Sequence, residues 1–396
     1  MSSVLPSQYR ALVVETVGAD LEIKTRTTPQ HSPGSAIVRI LEAGVLSYQR
    51  EVYGGHRPYP FPKPLVGGFS AVGRVAAVGP DATALQPGQL VWVDCVVRGR
   101  DDQSASFLLG IHEGFTEGSR KLMRDVWRDG TYAEFAKMPL ENCIPLDEVR
   151  LCKGLGYSIR DLTYLCYLLV PYGGLRDIKL EPGETIVVCP ATGGFGGAGV
   201  QVAAAMGARV IAMGRNEKEL ARLKAHVTKG TPWASVETVK ITGDEGADTA
   251  ALQAFGTIDC VLDIGPPAAA KSTHLKSAIA ALRRGGRCSV MGYVEQPIVD
   301  WKFMGNNLTL KGKLMYERED MLLFVKMLEK GLFPKGKEFV DVRSFGLENW
   351  KEAFDAAAEY TGLGKLVVIT PWSHRCLEAA RFVEVIVEHS LSIVSV

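Results

Sequence analysis

The residues best suited to chemistry in this chain follow an apolar run: VVCPATGGFGGAG, residues 187–199, places Thr192, Gly193, Gly194, Phe195, Gly196 and Gly197 in one turn. Glycines between a strand and a helix let the backbone come close to a pyrophosphate, while the helix N-terminus offers free N–H groups and its positive dipole end. Such a string is weak by itself. Here it follows an apolar strand, opens a helix and is followed by a second strand, ARVIAMG, at the right distance, which makes it a dinucleotide site. Pro190 stands where the usual fingerprint begins with glycine; a proline at a strand end costs no ladder bond when its nitrogen faces away from the sheet.

The end of the second strand decides between cofactors. It reads VIAMGRNEKEL, with Gly214 where an acid would hold the ribose hydroxyls of NAD, then Arg215, and Lys218 one turn into the helix. A missing carboxylate removes repulsion against a 2′-phosphate, and a guanidinium binds phosphate in bidentate fashion. NADP(H) is the expected cofactor; the other reading of Arg215 and Lys218 is a solvated helix start.

The elements that position these groups fall into two kinds. From Arg10 to about Pro145 the text is β-like, with runs such as SAIVRILEAGV and SAVGRVAAVG broken by Gly and Pro. Within it, residues 98–121 are polar and weakly periodic and read as a surface excursion. From about Cys152 strands alternate with helices through ETIVVCP, NEKELARLKAH, IDCVLDIG, RCSVMGY and LTLKGKLM, which predicts a parallel, doubly wound sheet. EDMLLFVKMLEKGLF and ENWKEAFDAAAEYT read as later helices, and GKLVVITP as a strand returning to the first domain. The moderately apolar tail from Ser373 reads as a packing or contact helix without chemistry.

Bulk properties narrow the class. A length of 396 residues with 46% hydrophobic residues suits two domains, and a net charge of +1 without a basic block argues against a nucleic-acid partner. The start lacks a secretory pattern and no apolar span is long enough for a membrane, so a cytoplasmic location is expected. Eight cysteines without a CxxC pair read as reduced, mostly buried thiols.

Taken in order, LEAGV, PLVGG, AAVGP, LQPGQLVWV, GTYAEF, LEPGE and the glycine turn resemble the medium-chain dehydrogenase/reductase superfamily over roughly residues 9–371, in particular its fungal alcohol-dehydrogenase-like members. The resemblance implies an α/β protein: a GroES-like β-rich catalytic domain, residues 1–160 and 316–396, and a Rossmann doubly wound parallel-sheet domain, residues 161–315. It also implies edge-strand pairing through residues 308–315 into a homodimer. Zinc members carry a cysteine ligand and a hydroxyl relay after AGV, a His-Glu pair after PLVxG, and a third ligand ahead of a YGGL-like phrase. This chain has Leu46 and Tyr48 at the first two places, Phe69 and Ser70 at the pair, and only Cys166 at the third. A catalytic zinc needs three protein ligands, so no zinc is expected there, and residues 96–142 hold no cysteine for a structural zinc.

Without a Lewis acid, hydrogen-bond donors must hold the developing oxyanion. Tyr48 is the candidate acid, with Tyr53 and Ser47 as second choices; the alternative is that Tyr48 fills the volume of the lost metal shell. Leu46, Phe69 and Cys166 then line the substrate pocket, and Cys166 reads as a buried thiol. Gly265 and Pro266 in DIGPP, and Gly292 and Tyr293 in MGYV, would face the nicotinamide, while Lys271 and His274 read as a solvated face. The expected activity is NADPH-dependent hydride transfer to an activated C=C of a small or medium hydrophobic substrate. The alternatives are metal-free reduction of a ketone or aldehyde, and a non-redox NADP-binding or rearrangement role.

Overall fold

The structure is a computed structural model, and it describes residues 5–372. The N-terminal part forms β1 (Gln8–Val14), β2 (Glu22–Thr27), β3 (Ser35–Val45), α1 (Gln49–Tyr53), β4 (Leu65–Val66), β5 (Ala71–Val78), β6 (Leu90–Val93), β7 (Val96–Arg98), β8 (Ser106–Leu108), α2 (Glu117–Asp125), β9 (Phe135–Pro139) and β10 (Cys143–Pro145). The middle of the chain gives α3 (Ile159–Leu162), α4 (Leu165–Asp177), β11 (Thr185–Cys189), α5 (Gly194–Ala205), β12 (Arg209–Gly214), α6 (Glu217–Gly230), β13 (Val236–Lys240), α7 (Glu245–Gln253), β14 (Cys260–Asp263), α8 (His274–Ala280), β15 (Arg287–Val290), α9 (Trp301–Gly305), β16 (Thr309–Gly312) and α10 (Arg318–Glu329). The chain ends, within the described residues, on β17 (Asp341–Gly346), α11 (Trp350–Glu359) and β18 (Lys365–Thr370).

Two compact units result. One holds the residues up to Leu146, Arg343–Glu359 and those from Val367 on. Its main sheet runs β10-β6-β5-β3-β18-β17, with β9 also on β3, beside the small sheet β2-β1-β4 and the hairpin β7-β8. The returning strand read from GKLVVITP is β18, antiparallel to β3. The stretch read as a surface excursion is only partly that. Phe107, Leu109 and Ile111 are buried, and α2 starts on a capping box between Thr116 and Ser119. A few apolar residues in a polar background were enough to anchor it, and periodicity does not register them.

The other unit, Asp147–Val342 with Tyr360–Leu366, carries a six-stranded, all-parallel sheet in the order β13-β12-β11-β14-β15-β16. Its central strand TIVVC is buried throughout, as a parallel strand covered on both faces must be. The strand order reverses between β11 and β14, where open α/β sheets bind their ligands. The unit is larger than residues 161–315. Tyr157 donates its hydroxyl to the Phe333 carbonyl (2.9 Å) and Tyr172 packs on Phe324 with ring centroids 5.0 Å apart, so residues 147–160 and 316–342 fold with the parallel sheet. The seven described cysteines are free, and six of them are buried. Among the described residues no helix is long and apolar enough to cross a membrane. The expected tail helix from Ser373 lies outside the described residues.

Candidate cofactor and proton-transfer site

The turn after β11 is built from glycines with different duties. Gly193 is the N-cap of α5 at φ −80°, ψ 173°, a conformation any residue adopts. A Cβ built there meets nothing within 4 Å, so neither backbone strain nor a protein neighbour requires glycine. Open space in front of a helix N-terminus is what a pyrophosphate needs. The glycines behind it serve packing: a Cβ on Gly196 would lie 2.1 Å from the Pro190 carbonyl oxygen, and one on Gly197 would lie 2.7 Å from Leu363 Cβ. A Cβ on Gly194 would lie 2.7 Å from the Tyr167 ring, which meets Phe195 in a tilted contact with centroids 4.7 Å apart. Pro190 follows the last residue of β11, and the ladder resumes with Ala191 N–H donating to the Met213 carbonyl (2.8 Å).

At the end of β12, Gly214 makes room for Thr192, whose Cγ2 would be 2.9 Å from a Cβ on Gly214. Asn216 caps α6, accepting from Lys218 N (3.0 Å) and Glu219 N (3.3 Å). Arg215, Asn216, Glu217 and Lys218 line an open hollow. Glu217 is held by Lys240 (2.9 Å), whereas among the described residues neither Arg215 nor Lys218 has an acidic partner, so the hollow presents two uncommitted cations. An anion placed there would meet them at the positive end of the α6 dipole.

The turns after β14 and β15 stand back to back. Met291 N–H donates to the Asp263 carbonyl (2.8 Å) and Tyr293 N–H to the Gly265 carbonyl (3.1 Å). A Cβ on Gly292 would lie 2.4 Å from Gly265 N and 2.5 Å from Asp263 Oδ2. Pro266 and Tyr293 are exposed beside these glycines. His274 is not on a solvated face: it is 3% exposed, and its Nε2 lies 2.9 Å from Asp263 Oδ1. The reason is the strand end opposite it, whose carboxylate is itself buried and draws the imidazole inward. Lys271 does sit at the surface. Asp263 was missed because it reads as the polar end of an apolar strand; its place inside IDCVLDIG, three residues after Cys260, was the only signal.

In the first unit, Leu46 and Phe69 are buried, at 2% and 3% exposure, and offer only carbon. Ser70, at the second place of the family's His-Glu pair, has a buried hydroxyl without a hydrogen-bond partner. Ser47 and Tyr48 are half-buried at the start of α1. The Arg57 guanidinium lies 4.1 Å from the centre of the Tyr48 ring and 5.3 Å from that of Tyr59, a cation held on two aromatic faces that the sequence reading had not singled out. Tyr53 is otherwise employed. It is 1% exposed, donates to the Gly110 carbonyl (2.7 Å) and accepts from Gly68 N–H (2.9 Å), and burial pushes its phenol well above its ordinary range. That geometry fixes the Gly67–Gly68 turn ahead of Phe69. In the second unit Cys166 is buried in the first turn of α4.

A reversed-order parallel sheet with a glycine turn, joined to an antiparallel unit, is the frame of a nucleotide-dependent oxidoreductase. Two family profiles match it: the alcohol dehydrogenase GroES-like domain over residues 32–148 and the zinc-binding dehydrogenase profile over residues 194–330, together more than half of the chain. The alcohol dehydrogenase of Geobacillus stearothermophilus is 25% identical over 363 residues, covering 91% of this chain and 99% of that one. Among solved structures, a thermostable alcohol dehydrogenase from Pyrobaculum aerophilum is 22% identical with a TM-score of 0.68, covering 92% of this chain and 100% of that one. A short chain alcohol dehydrogenase from Escherichia coli CFT073, solved with NADH, is 20% identical with a TM-score of 0.72 and the same coverage; at these identities both show the fold. The chain belongs to the medium-chain dehydrogenase/reductase superfamily. It is an alcohol dehydrogenase-like oxidoreductase of a family that binds NAD(P).

Proposed function

We propose that this protein is an NADPH-dependent reductase that works without a catalytic zinc and delivers hydride to an activated C=C bond. The observation that carries the reading is the side-chain set at the family's metal positions. Leu46 and Phe69 have no lone pair, and the remaining Cys166 thiol cannot make a three-ligand site, so these residues do not fit the zinc. With no Lewis acid at that place, a conjugated acceptor is the easier substrate: it takes hydride at its β-carbon and the charge moves to an oxygen that hydrogen-bond donors hold.

The glycine turn at Gly193 would cradle the pyrophosphate, and Arg215 with Lys218 would pair the 2′-phosphate. When bound, NADPH supplies the hydride. The half-buried phenol of Tyr48, with the Arg57 guanidinium over its ring, would donate a hydrogen bond to the carbonyl oxygen as charge develops there and give up the proton that completes the product, solvent then reprotonating it. Leu46 and Phe69 contribute an apolar wall for a small or medium hydrophobic substrate.

A second reading, reduction of a ketone or aldehyde with Tyr48 as acid, is favoured by the alcohol dehydrogenases among the relatives. NADPH consumption at 340 nm decides: turnover of an enone but not of the matching saturated ketone supports C=C reduction, and the reverse supports the alternative. Turnover of any substrate without nucleotide would point to non-redox chemistry. We also propose a homodimer through β16, which among the described residues pairs only with β15 and there forms the edge of the sheet.

A further inference from the structure

The reversal point of the parallel sheet holds a second, unexpected set of metal-ligating groups. Cys189 is the last residue of β11, Asp263 the last of β14 and His274 the first of α8. Cys189 and Asp263 are neighbours in the ladder, and one ligand atom from each of the three residues lies within 4.8 Å of the others. All three are buried, at 0%, 1% and 3% exposure. Around them the sheet face is hydrocarbon: Val187, Met213, Val261, Leu275 and Ala278.

Such a dry place should contain no unsatisfied polar atom, yet two of its ligating side chains carry one. Asp263 Oδ2 and His274 Nδ1 are buried without a hydrogen-bond partner. A carboxylate oxygen buried without a partner is costly by desolvation, so it is a ready acceptor for a cation. The donor set selects which cation: a thiol, an imidazole and a carboxylate converging on one point form a soft-to-borderline set that suits zinc and excludes magnesium and calcium.

We propose that Cys189, Asp263 and His274 bind one divalent transition-metal ion of the zinc type. Its charge would balance a thiolate and a carboxylate in an apolar shell, and its coordination would draw on the imidazole and carboxylate that now face each other at 2.9 Å and on the carboxylate oxygen left without a partner. The ion ties together the residues that immediately precede the Pro190–Gly193 turn, the Gly265 turn and α8, so it is a structural clamp under the nucleotide site. It is separate from the family's catalytic metal position, whose register residues here are Leu46, Phe69 and Cys166.

The test is metal content and cobalt spectroscopy on the full-length protein expressed in zinc-supplemented medium. About one zinc per chain is expected, and the cobalt-substituted protein should show thiolate-to-cobalt charge-transfer absorption in the near ultraviolet. Both should be lost in Cys189→Ser and retained in Cys166→Ser, and a chelator should lower the Tm of the wild type but not that of Cys189→Ser. If Cys189→Ser does not fold, Asp263→Asn and His274→Gln carry the same comparison. A zinc-free wild type that also gives no cobalt band overturns the proposal. So does a metal that survives in the Cys189, Asp263 and His274 variants and leaves with Cys166.

Discussion

At the scale of single residues, the proposed chemistry hinges on carbon side chains where the family's zinc members have ligands and on a phenol where they have a relay hydroxyl. If Tyr48 is the acid, Tyr48→Phe should lower kcat about 100-fold with the KM for the enone nearly unchanged, because general acid catalysis acts on the transition state; steady-state kinetics at 340 nm read it. Tyr53→Phe should instead lower the Tm, since its hydroxyl serves two buried backbone groups, at a cost of about 1–3 kcal/mol. On the proposed reading Arg215 would carry the nucleotide choice. Arg215→Asp should weaken NADPH binding about 10–100-fold while sparing NADH, as titration by nucleotide fluorescence would show; equal loss for both would remove Arg215 from phosphate recognition. The substitutions at Leu46, Tyr48 and Phe69 were legible because a residue type alone excludes or permits a lone pair. His274 was not, because the partner that buries it, Asp263, comes from another strand end.

At the scale of elements, the turn after β11 separates two uses of glycine that look alike in sequence. Gly193→Ala should leave the folding free energy within about 0.5 kcal/mol of wild type yet weaken nucleotide binding, since its new methyl points into open space. Gly196→Ala should destabilise by about 1–3 kcal/mol, because the methyl would press on the Pro190 carbonyl. Thermal melts with and without NADPH distinguish the two. The strand–helix alternation of this unit was legible from apolar runs bounded by glycine. Its limits were not. Residues 147–160 and 316–342 join it through contacts such as Tyr157 with Phe333 and Tyr172 with Phe324, pairings between distant positions that no local pattern announces.

At the scale of the whole molecule, near-neutrality has a consequence for handling. With 45 basic and 44 acidic residues and a pI near 7.6, self-repulsion is weakest close to neutral pH. Solubility should therefore pass through a minimum near pH 7.6 and recover on either side, as light scattering across a pH series would show. The path of the chain through the first unit has a temporal consequence. Strand β18 lies between β3 and β17, so the Ala43–Val45 end of β3, beyond its pairing with β9, keeps an unpaired side until residue 370 has been synthesised. On the ribosome the parallel-sheet unit emerges nearly whole while the earlier-made strands still wait for their last neighbour. The order of manufacture and the order of completion are thus inverted, and a chain stopped before residue 365 should expose the first unit to protease while leaving most of the second protected.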